Sequence, residues 1–298
     1  MKWIILVLIY GILKGIRDIS KKKALETNGV IEVLFVYTLL SFLLVTPEAR
    51  NAGGVALKDM LLTMFKSFVI FIAFICSFYA IEKMPISLYG VLDLSRMIFS
   101  MLMGVIVLHE VLGVYQWIGL FLVGGGILLL KYKPGFLKKK TTDSGEAAVA
   151  AAGKKSEGVA TLFVVLAFVS TFLNAISGTL DKILTRTMTA GQLQFWYTFF
   201  MLVYYAVYVI VTKTKIHWKQ CLTNIHIWVI AVLFIVADKC LFIANGIPDS
   251  SVTIMTLLKQ VSVVIMIIGG RIIYKEKDTA YRMFCAAVVI LGIVISAL

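Results

Sequence analysis

Ten blocks of apolar residues, each roughly 16 to 25 residues long, make up most of this 298-residue chain. They cover residues 3–19, 31–46, 65–80, 86–108, 114–130, 159–184, 193–212, 225–247, 252–274 and 280–298. Crossing the hydrocarbon core of a bilayer takes about 20 apolar residues in a helix, and lipid offers no partner to an open backbone N–H or C=O. The blocks therefore predict an all-α, polytopic membrane protein with ten transmembrane helices. Composition agrees: 60% of the residues are apolar and 15% charged, against about 45–50% and about 25% in soluble domains. The first block is followed by Lys21, Lys22 and Lys23 rather than by a small-residue cleavage site, so it reads as a span and not as a signal peptide.

The net charge of +13 is carried between the blocks, as in cytoplasmic loops, and not along one surface, so no nucleic-acid partner is expected. Cys76, Cys221, Cys240 and Cys285 lack CxxC spacing, and His109, His217 and His226 are not spaced as ligands. Neither a metal site nor a disulfide framework is expected. GxxxxGK[ST], GxSxG and HExxH are absent from the sequence, so the chain is not read as an enzyme, no catalytic residue is assigned and no cofactor is expected.

One extended polar stretch, residues 133–158, is lysine-rich with an Ala/Gly-rich centre and reads as a flexible basic linker. It separates residues 1–132 from residues 159–298, with five blocks on each side. The two sides match in order. "FVYT" at residues 35–38 recurs as "FWYT" at 195–198, Pro85 corresponds to Pro248, and Glu110, Tyr115 and Gly126 correspond to Glu276, Tyr281 and Gly292. Because five is odd, the second unit would enter the membrane from the opposite side, giving two inverted five-helix repeats, an arrangement typical of secondary transporters.

With its proline before each fourth span, its following glutamate and its glycine-bearing fifth span, the chain resembles the EamA-type transporters of the drug/metabolite transporter superfamily. That resemblance implies ten helices and alternating access for a small metabolite or drug, usually without ATP. Lysine and arginine counts give the orientation. Lys21 to Lys23, the linker lysines, Lys213, Lys215, Lys219, Lys275 and Lys277 fall on one side, and Lys2, Arg50, Lys58 and Arg186 on the other. The positive-inside rule then puts the linker in the cytoplasm and both termini outside. Relatives in the family more often keep their termini in the cytoplasm, so the chain departs from the pattern here.

Ionisable residues inside spans cost about 2.5–3.5 kcal/mol each on insertion scales and mark candidate sites. Asp93 and Arg96 lie in the fourth block. Arg96 follows Pro85 by eleven residues, and Lys259 follows Pro248 by eleven, so the two cations correspond across the repeat. Together they would hold an anion, Arg96 through its planar fork. Pairing of Arg96 with Asp93, one turn away, is the structural alternative. Tyr37 and Tyr197, from the repeated FxYT pattern, offer rings and hydroxyls either to a cavity or to packing. Asp238, Lys239, Asp181, Lys14 and Asn174 complete the candidates for proton coupling or ion pairing. An Asp238 pair with Lys259 is the first expectation, and Lys14 is read as free to snorkel to an interface. Gly11 with Gly15, Gly104, Gly124 to Gly126 and Gly292 read as close helix contacts.

The expected function is secondary transport of a small polar metabolite, anionic or zwitterionic, across the cell membrane, with the bilayer and the substrate as partners. The oligomeric state is open, a homodimer included. Proton-coupled export of cationic drugs or amines, with Asp93 or Asp238 as counter-charge, is the alternative within transport. A membrane scaffold or lipid-handling protein is the alternative outside it.

Overall fold

A computed structural model describes residues 2–100, 103, 113–131, 146–247, 255, 258–276 and 279–296. Helices dominate: α1 (Lys2–Ala24), α2 (Val30–Val45), α3 (Leu57–Lys83), α4 (Ile86–Asp93), α5 (Val114–Lys131), α6 (Glu146–Leu184), α7 (Ala190–Thr212), α8 (Trp218–Thr223), α9 (Ile225–Asn245), α10 (Val261–Tyr274) and α11 (Thr279–Ser296), with a 3-10 helix (Thr46–Asn51) after α2. No strand occurs among the described residues. Five stretches are long and apolar enough to cross a membrane: Val30–Asn51, Leu57–Lys83, Thr161–Leu184, Ala190–Thr212 and Ile225–Asn245. Shorter apolar helices cover Trp117–Gly126, Val261–Tyr274 and Ala280–Gly292. The protein is an all-helical membrane protein.

Helix α1 shows how the sequence arranges itself for lipid. Ile5, Ile9, Ile12 and Ile16 recur at helical spacing on one face and are all exposed, while Lys14, Arg17, Asp18 and Lys21 occupy the other face and are all buried. In water this polarity would run the other way, because the apolar stripe of a surface helix faces the core. Here the charges turn inward and the isoleucines outward, as a hydrocarbon surrounding requires.

Packing around α1 is set by its partners α9 and α10, and α3 is flanked by α6 and α7. Further neighbours are α2 with α7 and α9, α4 with α6 and α10, and α5 with α11. Where α2, α3, α7 and α9 meet, Tyr37 stacks on Phe78 at 5.8 Å between ring centroids and meets Phe234 edge-on at 5.8 Å. Close approaches fall where the side chain is smallest. A Cβ on Gly15 would lie 2.8 Å from the Ile265 side chain and 3.0 Å from the Ser262 carbonyl, so α1 touches α10 because Gly15 has none.

Two expectations change. Residues 86–108 are not one continuous helix: α4 stops at Asp93, Leu94 and Ser95 form a turn, and helix resumes at Arg96. The amides of Leu94 and Ser95 bond to carbonyls three residues back, at 3.2 and 3.0 Å, which tightens the chain there. The segment read as a linker, 133–158, is helical from Glu146, where an alanine-rich run favours helix; residues 133–145 lie outside the described residues, as do His109, Glu110, Gly104 and Pro248.

Candidate functional site

On α1, positions 14, 17, 18 and 21 are spaced i, i+3, i+4 and i+7, so four charged side chains share one face. That face turns inward. Lys14 Nζ donates to Asp18 Oδ2 at 3.1 Å and to Asp93 Oδ2 at 2.7 Å. Lys21 Nζ donates to Asp18 Oδ1 at 2.7 Å, and Arg96 Nη2 donates to Asp93 Oδ1 at 3.1 Å. The result is a chain of alternating charge, Lys21, Asp18, Lys14, Asp93, Arg96, that joins α1 to the break after α4. All four carboxylate oxygens in it are taken.

Two more ion pairs tie the first half of the chain to the second. Arg17 Nη1 of α1 stands 3.6 Å from Asp238 Oδ1 of α9, and Lys66 Nζ of α3 stands 3.1 Å from Asp181 Oδ1 of α6. Aromatic faces line both cations. Lys66 Nζ sits 3.4 Å from the Tyr197 ring centroid, and the Arg17 guanidinium is 5.4 Å from that of Phe234. Such faces attract cations most where water is excluded.

Lys259 lies beside the second break. Gln260 is a turn, and α10 begins at Val261. Its Nζ is 5.7 Å from the Tyr10 ring centroid. Among the described residues no carboxylate comes within 4 Å of it, although Asp181 and Asp238 act on it at longer range and Arg96 acts on it as a like charge. Arg96 and Lys259 each stand beside a point where the helix is interrupted.

Residues 1–132 match the EamA-like transporter family. The matched residues include Lys14, Arg17, Asp18, Lys21, Lys66, Asp93 and Arg96, while Asp181, Asp238 and Lys259 lie beyond them. No curated protein matches the chain. Among the described residues no group of histidine, cysteine, aspartate and glutamate could hold a metal ion.

The remaining sequence candidates fall as follows. Asp238 pairs with Arg17 and not with Lys259, because Arg17 projects from the adjacent α1. Lys14 does not snorkel: it is buried between two carboxylates. Lys239, next to Asp238 on α9, points away from it and pairs with Glu48 of the 3-10 helix. Asn174 donates to the Ser170 carbonyl at 2.8 Å on its own helix and makes no ion pair. Tyr197 presents its ring to Lys66, whereas the Tyr37 hydroxyl is buried with no hydrogen-bond partner among the described residues. Arg17, Asp18, Lys21 and Lys66 were not expected, since each stands within three residues of a block's end. The i, i+3, i+4, i+7 spacing from Lys14 was the available signal for three of them.

Proposed function

We propose that this protein is a secondary transporter that carries a small polar metabolite, anionic or zwitterionic, across the cell membrane by alternating access. Arg96 and Lys259 hold the anionic part of the substrate, and Asp93 positions Arg96. The observation that carries this reading is the pair of helix interruptions with a cation at each. Interrupted helices expose backbone polar groups at membrane depth only where protein or a cavity receives them, and in transporters such breaks form the substrate site.

Other observations support it. The EamA-like match of residues 1–132 speaks for transport. The helix pairings persist when the halves are exchanged: α1 with α9 corresponds to α6 with α3, α1 with α10 to α6 with α4, and α3 with α7 to α9 with α2. That is the pattern two inverted five-helix repeats would give, with 1–132 and 159–298 as the units. Their relative rocking would open the site to either side in turn. Cationic substrates are less well served, because Asp18, Asp93, Asp181 and Asp238 each already face a cation.

The test is release of solutes from proteoliposomes loaded with a mixed metabolite extract, followed by mass spectrometry. The wild-type protein should release one or a few polar metabolites. Arg96→Ala and Lys259→Ala should slow that release about tenfold or more, the loss expected for a charge-assisted contact, while Lys239→Ala should leave it unchanged. Wild-type rates in both site variants would refute the assignment.

A further inference from the structure

We propose that Glu276 is a releasable latch that holds one face of the protein shut by gripping the start of α4, an inference that rests on the transporter reading and names its gate. The local sequence creates the need for it. Pro85 takes the N-cap position of α4 and offers no side-chain acceptor, so the first amides of the helix lack a local cap. Glu276, from the connection between α10 and α11, supplies one. Its carboxylate accepts the Ile86 N–H at 2.6 Å, the Ser87 N–H at 3.2 Å and the Ser87 hydroxyl. Arg282 of α11 donates to the same carboxylate at 2.8 Å and to Ser87 Oγ. Gly270 leaves the room: a Cβ there would stand 2.9 Å from the Glu276 carboxylate and 3.1 Å from Ile86 Cγ2.

Three helix ends meet at this face. Lys22, in the last turn of α1, donates to the Met84 carbonyl just before Pro85, and its ammonium lies 5.2 Å from the ring centroid of Tyr274, the last residue of α10. Helix α4 is separate from its neighbours in the chain. Met84 is extended before it, and Leu94 and Ser95 turn after it, so its eight residues can shift without unwinding α3. Its other polar side-chain ties stay within residues 1–132: Tyr89 Oη lies 2.8 Å from Ser77 Oγ of α3, and Asp93 accepts Lys14 and Arg96. Among the described residues, the hydrogen bonds of Ile86–Asp93 to the second unit all run to Glu276 and Arg282. The rest of its contact with α10 includes Gly90 against the Met266 side chain, an apolar surface that parts without stranding a polar group. When the latch opens, α4 therefore leaves α10 and stays with α3. Asp93, about 12 Å from the latch along two helical turns, holds Arg96, so the same shift carries one of the two proposed substrate contacts with the gate.

Two thiol experiments, in protein whose native cysteines are replaced by serine, test the latch. In the first, Ser87→Cys and Glu276→Cys are joined by a short methanethiosulfonate cross-linker, and solute release from proteoliposomes is followed before cross-linking, after it and after reduction. The cross-link should form and slow release about tenfold or more, and reduction should restore it. The second needs no transport. Met266→Cys, fully buried against Gly90, reacts with a membrane-impermeant maleimide once α4 leaves α10. Adding Glu276→Gln should speed that labelling about tenfold, because a neutral amide replaces the charged acceptor. Met201→Cys, buried in α7, should stay slow. Failure of the pair to cross-link, undiminished release by the cross-linked protein, no acceleration at Met266→Cys, or equal acceleration at Met201→Cys would overturn the latch and leave the transporter reading in place. If the wild-type protein releases no solute, the transporter reading falls and the labelling contrast decides whether this face opens.

Discussion

The Glu276 carboxylate accepts the backbone N–H of Ile86 at 2.6 Å, so a residue between α10 and α11 caps the first turn of α4 in the other half of the chain. The same carboxylate accepts the Ser87 amide at 3.2 Å and the Arg282 guanidinium at 2.8 Å. Helix N-termini leave amides unpaired and favour negative charge. Glu276→Ala should lower stability by about 1.5–3 kcal/mol, the range for a charged hydrogen bond, and Glu276→Gln by less, since its amide oxygen can still accept. Thermal unfolding of purified variants measures both.

Gly15 sets the distance between α1 and the second helix break. A Cβ there would meet Ile265 and the Ser262 carbonyl, whereas a Cβ on Gly124 would meet nothing within 4 Å. Gly15→Val should therefore cost about 1–3 kcal/mol as an overpacked contact and displace α1 from Lys259, slowing transport. Gly124→Ala should leave stability unchanged. Unfolding and proteoliposome flux, measured side by side, check the contrast.

Lys66 and Asp181 depend on each other. Removing one partner of a buried pair typically costs about 3–5 kcal/mol, because the other charge is left uncompensated. Lys66→Met should lose that much, and adding Asp181→Asn should restore most of it. A double-mutant cycle by thermal unfolding gives the coupling directly.

Cys221 lies on α8, outside the spans, and accepts a hydrogen bond from Asn28 Nδ2 at 3.3 Å. Burial pushes its thiol pKa up. Since the thiolate is the reactive form, maleimide labelling of Cys221 should be about tenfold slower than that of a free thiol at pH 8, and should accelerate as pH rises further. Peptide mass spectrometry reads the site directly.

Much of this was legible in the sequence. Block length and the charge deficit predicted the helices and the membrane. The repeat drew attention to Arg96 and Lys259, each of which the structure places beside a helix break, Arg96 after the turn at Leu94 and Ser95 and Lys259 before the turn at Gln260. The breaks themselves could not be read. "LDLSRM" carries no proline or glycine, and the turn at Leu94 and Ser95 depends on tertiary contacts such as Ser95 Oγ with Thr171 Oγ1 at 3.1 Å. Asp238's partner was equally hidden. Choosing Arg17 over Lys259 requires knowing that α1 packs against α9, a contact more than two hundred residues apart in the chain. Lys66 stands at the start of an apolar block and was not singled out, whereas α3 begins at Leu57 and carries Lys66 inward to Asp181.

The most direct measurement of the central claim is a thermal-shift screen of the purified protein against a metabolite library, repeated with Arg96→Gln and Lys259→Gln. The account predicts that the compounds raising the unfolding temperature of the wild-type protein carry negative charge, and that both variants lose the shift. Stabilisation by cations, or shifts that persist in both variants, would contradict it.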